Sequence, residues 1–320
     1  MSSARKFSVF RSAVHGGLAL TLLTVASCGL LADKVDAHPA AVVASDRLEG
    51  SRGTIADRTA RLSADFTLLE TMLPGRVGLA IMPVGGSRTT MMGDLTGGLA
   101  WSTIKIPIAV AALRNDPDGL LDYAEAAITF SDNDAAGTLW NSLGSNAAQA
   151  VQQVLDEADD TMPGGPWPHT AIDEYAFGAT EWSLADQVRF ASQLPCLPDT
   201  DTVTDLMSQI TDEHRWGLGA LDGAIFKGGW GPDDDTGEYL VRQFGLVPVR
   251  DGYIAVAMTA QADSGDFETA TEMLDSLAVL VGDHLSDTRS GNCPGPDSVI
   301  SALPGIGRLT AQPGTTRPDS

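Results

Sequence analysis

Lysine is scarce in this chain. Its 320 residues include only Lys6, Lys34, Lys105 and Lys227, and arginine supplies the other 16 basic residues. Basic charge as a whole is scarce too: 42 acidic residues against 20 basic ones leave a net charge of −22. A nucleic-acid partner is thereby excluded, since phosphate contacts need a basic surface. The five histidines, His15, His38, His169, His214 and His284, are scattered without ligand spacing, so no metal site is expected. No glycine-rich phosphate loop follows a strand, and no cofactor is expected. The acidic run "GPDDDTGE" after Lys227 reads as a solvated turn. There is no internal repeat. The stretch "SAVHGGLALTLLTVAS" is too short and too punctuated by glycine for a good membrane span.

What is present begins with an export signal. Arg5, Lys6 and Arg11 precede that apolar stretch, which ends in "VASC" at Cys28. The ending resembles the lipobox of bacterial lipoproteins. The resemblance implies a signal over residues 1–28, lipid on Cys28 and anchoring to the outer face of the bacterial cell membrane. The alternative is an ordinary secretory signal and a secreted protein. Residues 29–50 read as a tether without clear period. In an oxidising compartment the two remaining cysteines, Cys196 and Cys293, can form a disulfide; the alternative is two independent thiols. By the chain-entropy model, closing a loop of about 100 residues contributes on the order of 4–5 kcal/mol.

At 43% hydrophobic residues, the chain has material for a sizeable core. The spacing predicts a helix over 54–73, stopped by Pro74 and Gly75. Two alternating segments follow, "RVGLAIMPV" and "RTTMMGD", read as strands. Helices are expected over 102–114, over "DNDAAGTLWNSLG" and over "SLADQVRFASQL", with Ser183 capping the last. A long loop rich in Pro and Gly spans 159–182. Then come three strands, "GAIFKGG", "YLVRQFGLVPV" and "GYIAVAMTA", and an amphipathic helix over 266–285. The fold class expected is α+β: one antiparallel sheet built from both ends of the chain, flanked by helices, with a helical lobe made by the middle. The domain is taken as residues 51–286 and a disordered tail as 287–320. A site would lie where the lobes meet.

Three short stretches carry chemistry. In "WSTIK", Ser102 and Lys105 are three apart, which puts both on one face of a helix. A serine hydroxyl needs a base to take its proton. A lysine in apolar surroundings loses part of its preference for charge and can be that base. Arginine cannot, because it stays protonated, which accounts for a lysine in an arginine-preferring chain. The S-x-x-K spacing alone is weak, since about one chance match is expected in a chain this long. In "SDNDAAG", Ser131 can relay a proton and Asn133 can bind a substrate amide; equally, Ser131, Asp132 and Asn133 are all good helix caps. In "FKGGWG", glycines beside Lys227 allow close approach of a ligand or another backbone, or mark a β-bulge.

The order S-x-x-K, then S-D-N, then K-x-G on a late strand resembles that of class A β-lactamases and penicillin-binding proteins. The resemblance covers roughly residues 75–285 and implies the β-lactamase/transpeptidase-like fold. It implies Ser102 as the acylated nucleophile, Lys105 as its proton acceptor, and Ser131 as the shuttle to the leaving nitrogen. It implies Asn133 against the acyl side chain and Lys227 holding Ser131 and attracting a substrate carboxylate. The oxyanion hole would use the N–H groups of Ser102 and Trp230, with Gly229 beside them. The substrate would be a small molecule or a cell-wall peptide, met by a monomer.

Departures are equally clear. Gly228 stands where the family usually has Thr or Ser, and Arg242 on the next strand is a candidate replacement for the lost carboxylate contact. Trp230 is bulky for its place. Ser131 follows Ser102 by 29 residues, a shorter gap than in typical class A enzymes, so the helical lobe is expected to be reduced. Glu174 in "DEYAFG" is a candidate deacylation base, although the rest of the E-x-x-L-N element does not match. The expected function is therefore an exported serine hydrolase acting on a β-lactam or a peptidoglycan-type amide or ester. The alternatives are a D,D-peptidase with slow deacylation and a catalytically weak binding lipoprotein of the same fold.

Overall fold

The structure, a computed structural model, describes residues 54–160, 171–172, 177–233 and 236–293. The signal, Cys28, the tether and Glu174 lie outside them.

Helix α1 runs Ile55–Glu70. Thr54 and Asp57 form a reciprocal capping box at its start. Strands β1 (Gly75–Pro83) and β2 (Thr90–Gly93) follow as an antiparallel pair. The middle of the chain is helical: α2 (Lys105–Asn115), α3 (Leu121–Thr129), α4 (Asn133–Ser142), α5 (Ala147–Asp160), α6 (Leu184–Gln193) and α7 (Asp201–Met207). The last third supplies β3 (Ile225–Pro232), β4 (Tyr239–Val249), β5 (Gly252–Ala262) and α8 (Phe267–Asp283).

The five strands order as β2-β1-β5-β4-β3, all antiparallel neighbours. Segments from early and late in the described residues thus meet at the β1–β5 pairing, as the α+β expectation requires. The sheet is covered on both faces. Helix α8 turns Ala270, Met273, Leu274, Leu277 and Val281 inward, and α6 buries Leu184, Val188 and Phe190 against the other side. Residues Ile254 to Ala260 of β5 are accordingly all buried. The larger apolar side chains among them, Ile254, Val256 and Met258, each stabilise by about 1.5–3 kcal/mol when removed from water.

The chain stays on this body past residue 286. Gly291 and Tyr253 exchange backbone hydrogen bonds at 2.9 and 3.0 Å, and Cys293 is bonded to Cys196 across 97 residues of sequence. Among the described residues, no helix is long and apolar enough to cross a membrane.

Candidate active site

Ser102 sits in a 3₁₀ turn, Trp101–Ile104, that leads directly into α2. Trp101, just before it, holds a φ of 49°. An aromatic residue in that left-handed region is strained and needs its surroundings to hold it. The support comes from β3: a Cβ on Gly231 would lie 2.3–2.6 Å from the Trp101 ring, so only glycine leaves room for it. Gly229 makes the second close approach. A Cβ there would stand 2.9 Å from Ala100 O, Ser102 N and Thr103 N. The Trp101–Ile104 turn therefore lies flat against β3, and β3 is an edge strand with one side of its backbone free of any strand.

Arg242 secures the turn from behind. It is fully buried and donates to Gly98 O at 2.8 Å, Leu99 O at 3.0 Å, Trp182 O at 2.9 Å and Gln187 Oε1 at 3.0 Å. Gln187 in turn donates to Thr103 Oγ1 at 3.0 Å. Burial pulls the pKa of Arg242 down to about 10, against the opposing charge of Glu181. The expectation that Arg242 replaces a lost substrate contact is thereby corrected. Arg242 pairs with Gly229, and Gln243 with Gly228. Side chains alternate along a strand, so Arg242 points to the interior where Gln187 lies, and Gln243 takes the face of Gly228.

The polar heart of the site is Ser131. Its φ of 57° is again left-handed. Asp132 is the helix cap, accepting from Ala135 N at 2.7 Å, and this leaves Ser131 and Asn133 for other partners. Lys227 Nζ donates to Ser131 Oγ and to Gly228 O, each at 2.9 Å. Lys105 Nζ donates to Ser131 O at 2.6 Å, to Asn133 Oδ1 at 2.8 Å and to Ser131 Oγ at 3.4 Å. The Ser102 side chain makes no hydrogen bond among the described residues, Lys105 included.

Two lysines, 1% and 2% exposed, thus converge on one serine. Neither has an ion-pair partner among the described residues. Burial lowers Lys105 to a pKa of about 8, only partly opposed by Asp132. Lys227 is held well below its ordinary value, first by burial and then by the charge of Lys105. A site of this kind keeps a neutral amine available near pH 7.

On the other face of β3, Trp230 belongs to an aromatic group whose other members the sequence pattern did not single out. Trp216 packs over Gly228: a Cβ on that glycine would lie 2.9 Å from the ring. The Trp230 ring is 5.9 Å from Trp216, 4.9 Å from His214 and 5.6 Å from Phe267. Burial, followed by the charge of Lys227, lowers the pKa of His214. His214 and Trp216 come from short turns with no periodicity, so only their closeness to "FKGGWG" in sequence could have drawn attention to them. Among the described residues there is no group of three or more His, Cys, Asp or Glu side chains placed to hold a metal ion.

Comparison with known proteins agrees on the fold. No family model matches the chain, and no curated protein matches it by sequence. Solved structures do. A class A β-lactamase from Bacteroides cellulosilyticus superposes with a TM-score of 0.58 at 14% identity, over 72% of this chain and 99% of that one. A β-lactamase from Streptosporangium roseum gives 0.54 at 16% identity, over 72% and 100%. An ancestral class A β-lactamase gives 0.52 at 19% identity, over 69% and 99%. The fold is therefore that of the β-lactamases, with the five-stranded antiparallel sheet and helices on both faces.

Proposed function

We propose that this chain is an exported serine hydrolase that forms an acyl-enzyme at Ser102 on an amide or ester of the β-lactam or peptidoglycan kind. One observation carries the reading: two buried lysines, one of them a turn of helix after the partly exposed Ser102, meet at a second serine, Ser131. Neutral Lys105 takes the Ser102 proton as Oγ attacks the acyl carbon. The N–H groups of Ser102 and Trp230 hold the oxyanion. Ser131, fixed by Lys227, passes the proton to the leaving atom, and Asn133 contacts the acyl side. Cys28 carries the lipid anchor, and the monomer works at the outer face of the cell membrane on small molecules or cell-wall peptides.

The resting contacts of Lys105 favour a second reading, since its ammonium is turned to Ser131 O and Asn133 Oδ1 rather than to Ser102. In that reading the fold is kept for binding. Intact-protein mass separates the two, after exposing residues 45–320 to a fluorescent penicillin and, separately, to a fluorophosphonate. The fluorophosphonate reports the nucleophilicity of Ser102 whatever the natural substrate is. Labelling that vanishes in Ser102→Ala establishes the enzyme. A penicillin adduct that persists assigns slow deacylation, as in a penicillin-binding protein, whereas drug hydrolysed without adduct assigns a β-lactamase with Glu174 as the candidate base. No label from either probe leaves the binding protein.

A further inference from the structure

Around Ser131 few donors are left for an anion: Lys105 Nζ already faces Ser131 O, Asn133 Oδ1 and Ser131 Oγ. Lys227 is buried, and its Nζ is already donating to Ser131 Oγ and Gly228 O. Gly228 has no hydroxyl, and the volume a side chain would need there is filled by the Trp216 ring. Gln243, across from Gly228, has both amide atoms engaged: Oε1 accepts from Leu218 N at 2.8 Å and Nε2 donates to Trp216 O at 2.7 Å. Arg242 points into the interior. Arg215 lies over the Phe226 ring, 5.8 Å from its centre, and donates to Gly219 O. What remains on this side is a wall of rings: His214, Trp216, Trp230 and Phe267, with neighbouring centres 4.9–6.2 Å apart. Trp216 Nε1 and His214 Nδ1 are out of contact with solvent and have no hydrogen-bond partner.

We propose that the leaving-group side of the cleft is a neutral, aromatic-walled subsite, and that the chain acylates on esters and amides with an uncharged apolar leaving group in preference to ones ending in a free carboxylate. The proposal rests on the acyl-enzyme reading above and departs from its substrate class, since the leaving side of a penicillin or of a cell-wall peptide carries a free carboxylate. In the reaction, Ser102 Oγ bonds to the acyl carbon and the bond to the leaving oxygen, sulfur or nitrogen breaks. The hydroxyl proton travels through Lys105 and Ser131 to that atom. A carboxylate placed against the indoles would lose water without gaining a cation. An apolar or aromatic group there gains ring contacts instead.

The test uses two phenylacetyl thioesters that differ only in charge, one of mercaptoacetic acid and one of its methyl ester. Thiol release and intact mass measure acylation in the wild type, and calorimetry measures binding to Ser102→Ala. The neutral thioester is expected to win by about tenfold or more in kcat/KM, and to bind tighter. Trp216→Phe keeps that preference, Trp216→Ala weakens it, and Gly228→Thr combined with Trp216→Ala moves it toward the acid. The proposal is overturned if the acid is acylated or bound as well as the methyl ester. If neither thioester acylates Ser102, the acyl-enzyme reading fails, and the binding comparison on Ser102→Ala still decides the subsite.

Discussion

A single carbon atom added to either face of β3 meets different things. At Gly229 it would stand 2.9 Å from three backbone atoms of the turn that carries Ser102; at Gly228 it would stand 2.9 Å from the far edge of one indole. The first face is a backbone-to-backbone fit, braced by the buried Arg242 and carrying Lys227. The second is a contact between side chains, with Trp216 and Trp230 half-buried. Rotamers move at small cost and backbone turns do not. The proposed chemistry occupies the rigid face, and the proposed selectivity occupies the adaptable one.

The sharpest way to break this comparison is Gly229→Val. Its branched side chain drives Ser102 N and Thr103 N away from β3 and opens the proposed oxyanion hole. Loss of one such donor costs about 10²–10³-fold in rate, so labelling of Ser102 by the fluorophosphonate should slow by that order. Circular dichroism should show the fold retained. Normal labelling of Gly229→Val would mean that the turn does not depend on its contact with β3.

The next largest effect is on stability. Arg242→Gln removes the donor to three backbone carbonyls inside the protein. Buried acceptors left unpaired cost about 1–3 kcal/mol each before relaxation, and a net loss of about 3 kcal/mol in urea unfolding is expected. Rates on the acid and neutral thioesters should fall together, leaving their ratio unchanged, because Arg242 belongs to the Gly229 face. A change in the ratio would return Arg242 to the cleft.

These two variants also mark what the sequence made legible. Lys105 stood out because a chain that prefers arginine kept lysine in an apolar run, Lys227 because of the glycines beside it, and the order of the three motifs pointed to the fold. Strand positions followed from alternation, and the ends of β1, β4 and β5 fall within a residue or two of those expected. The face of Arg242 was not legible. Alternation within β4 says that Arg242 and Gln243 point oppositely, but only the pairing with β3 says which one meets Gly228. The choice among Ser131, Asp132 and Asn133 as cap was likewise open to composition and settled by backbone geometry. Trp216 and His214 lie in single turns too short for any period, and what makes them neighbours of Gly228 is tertiary packing.

A smaller effect separates the faces by pH. In the proposed reaction Lys105 must be neutral to accept the Ser102 proton, and burial lowers its pKa to about 8. Below that value the reactive fraction falls about tenfold per unit. Acylation should therefore rise with pH and level off above about 8, on acid and neutral thioesters alike. The sign for stability follows from the same shift. Between about 8 and the ordinary lysine value of 10.5, the folded state binds fewer protons than the unfolded one, so this group's contribution to stability increases as pH rises through that window. Lys105→Arg stays charged throughout and should be inactive at every pH. A flat profile in the wild type would remove Lys105 as the base.

The smallest effect expected is that of Gly228→Ala, and it is the direct counterpart of Gly229→Val. The added methyl group meets only the end of the Trp216 ring, and Trp216 can give way by a small rotation toward solvent. Overpacking relieved in this way costs less than the 1–3 kcal/mol typical of a closed core. Labelling of Ser102 should change by a few-fold at most, while the preference for the neutral thioester declines as the indole shifts. If Gly228→Ala instead slowed labelling as much as Gly229→Val, the indole would be bracing the reacting groups. Trp216 would then be a positioning residue for Lys227, whose Nζ is bonded to Gly228 O beneath that ring.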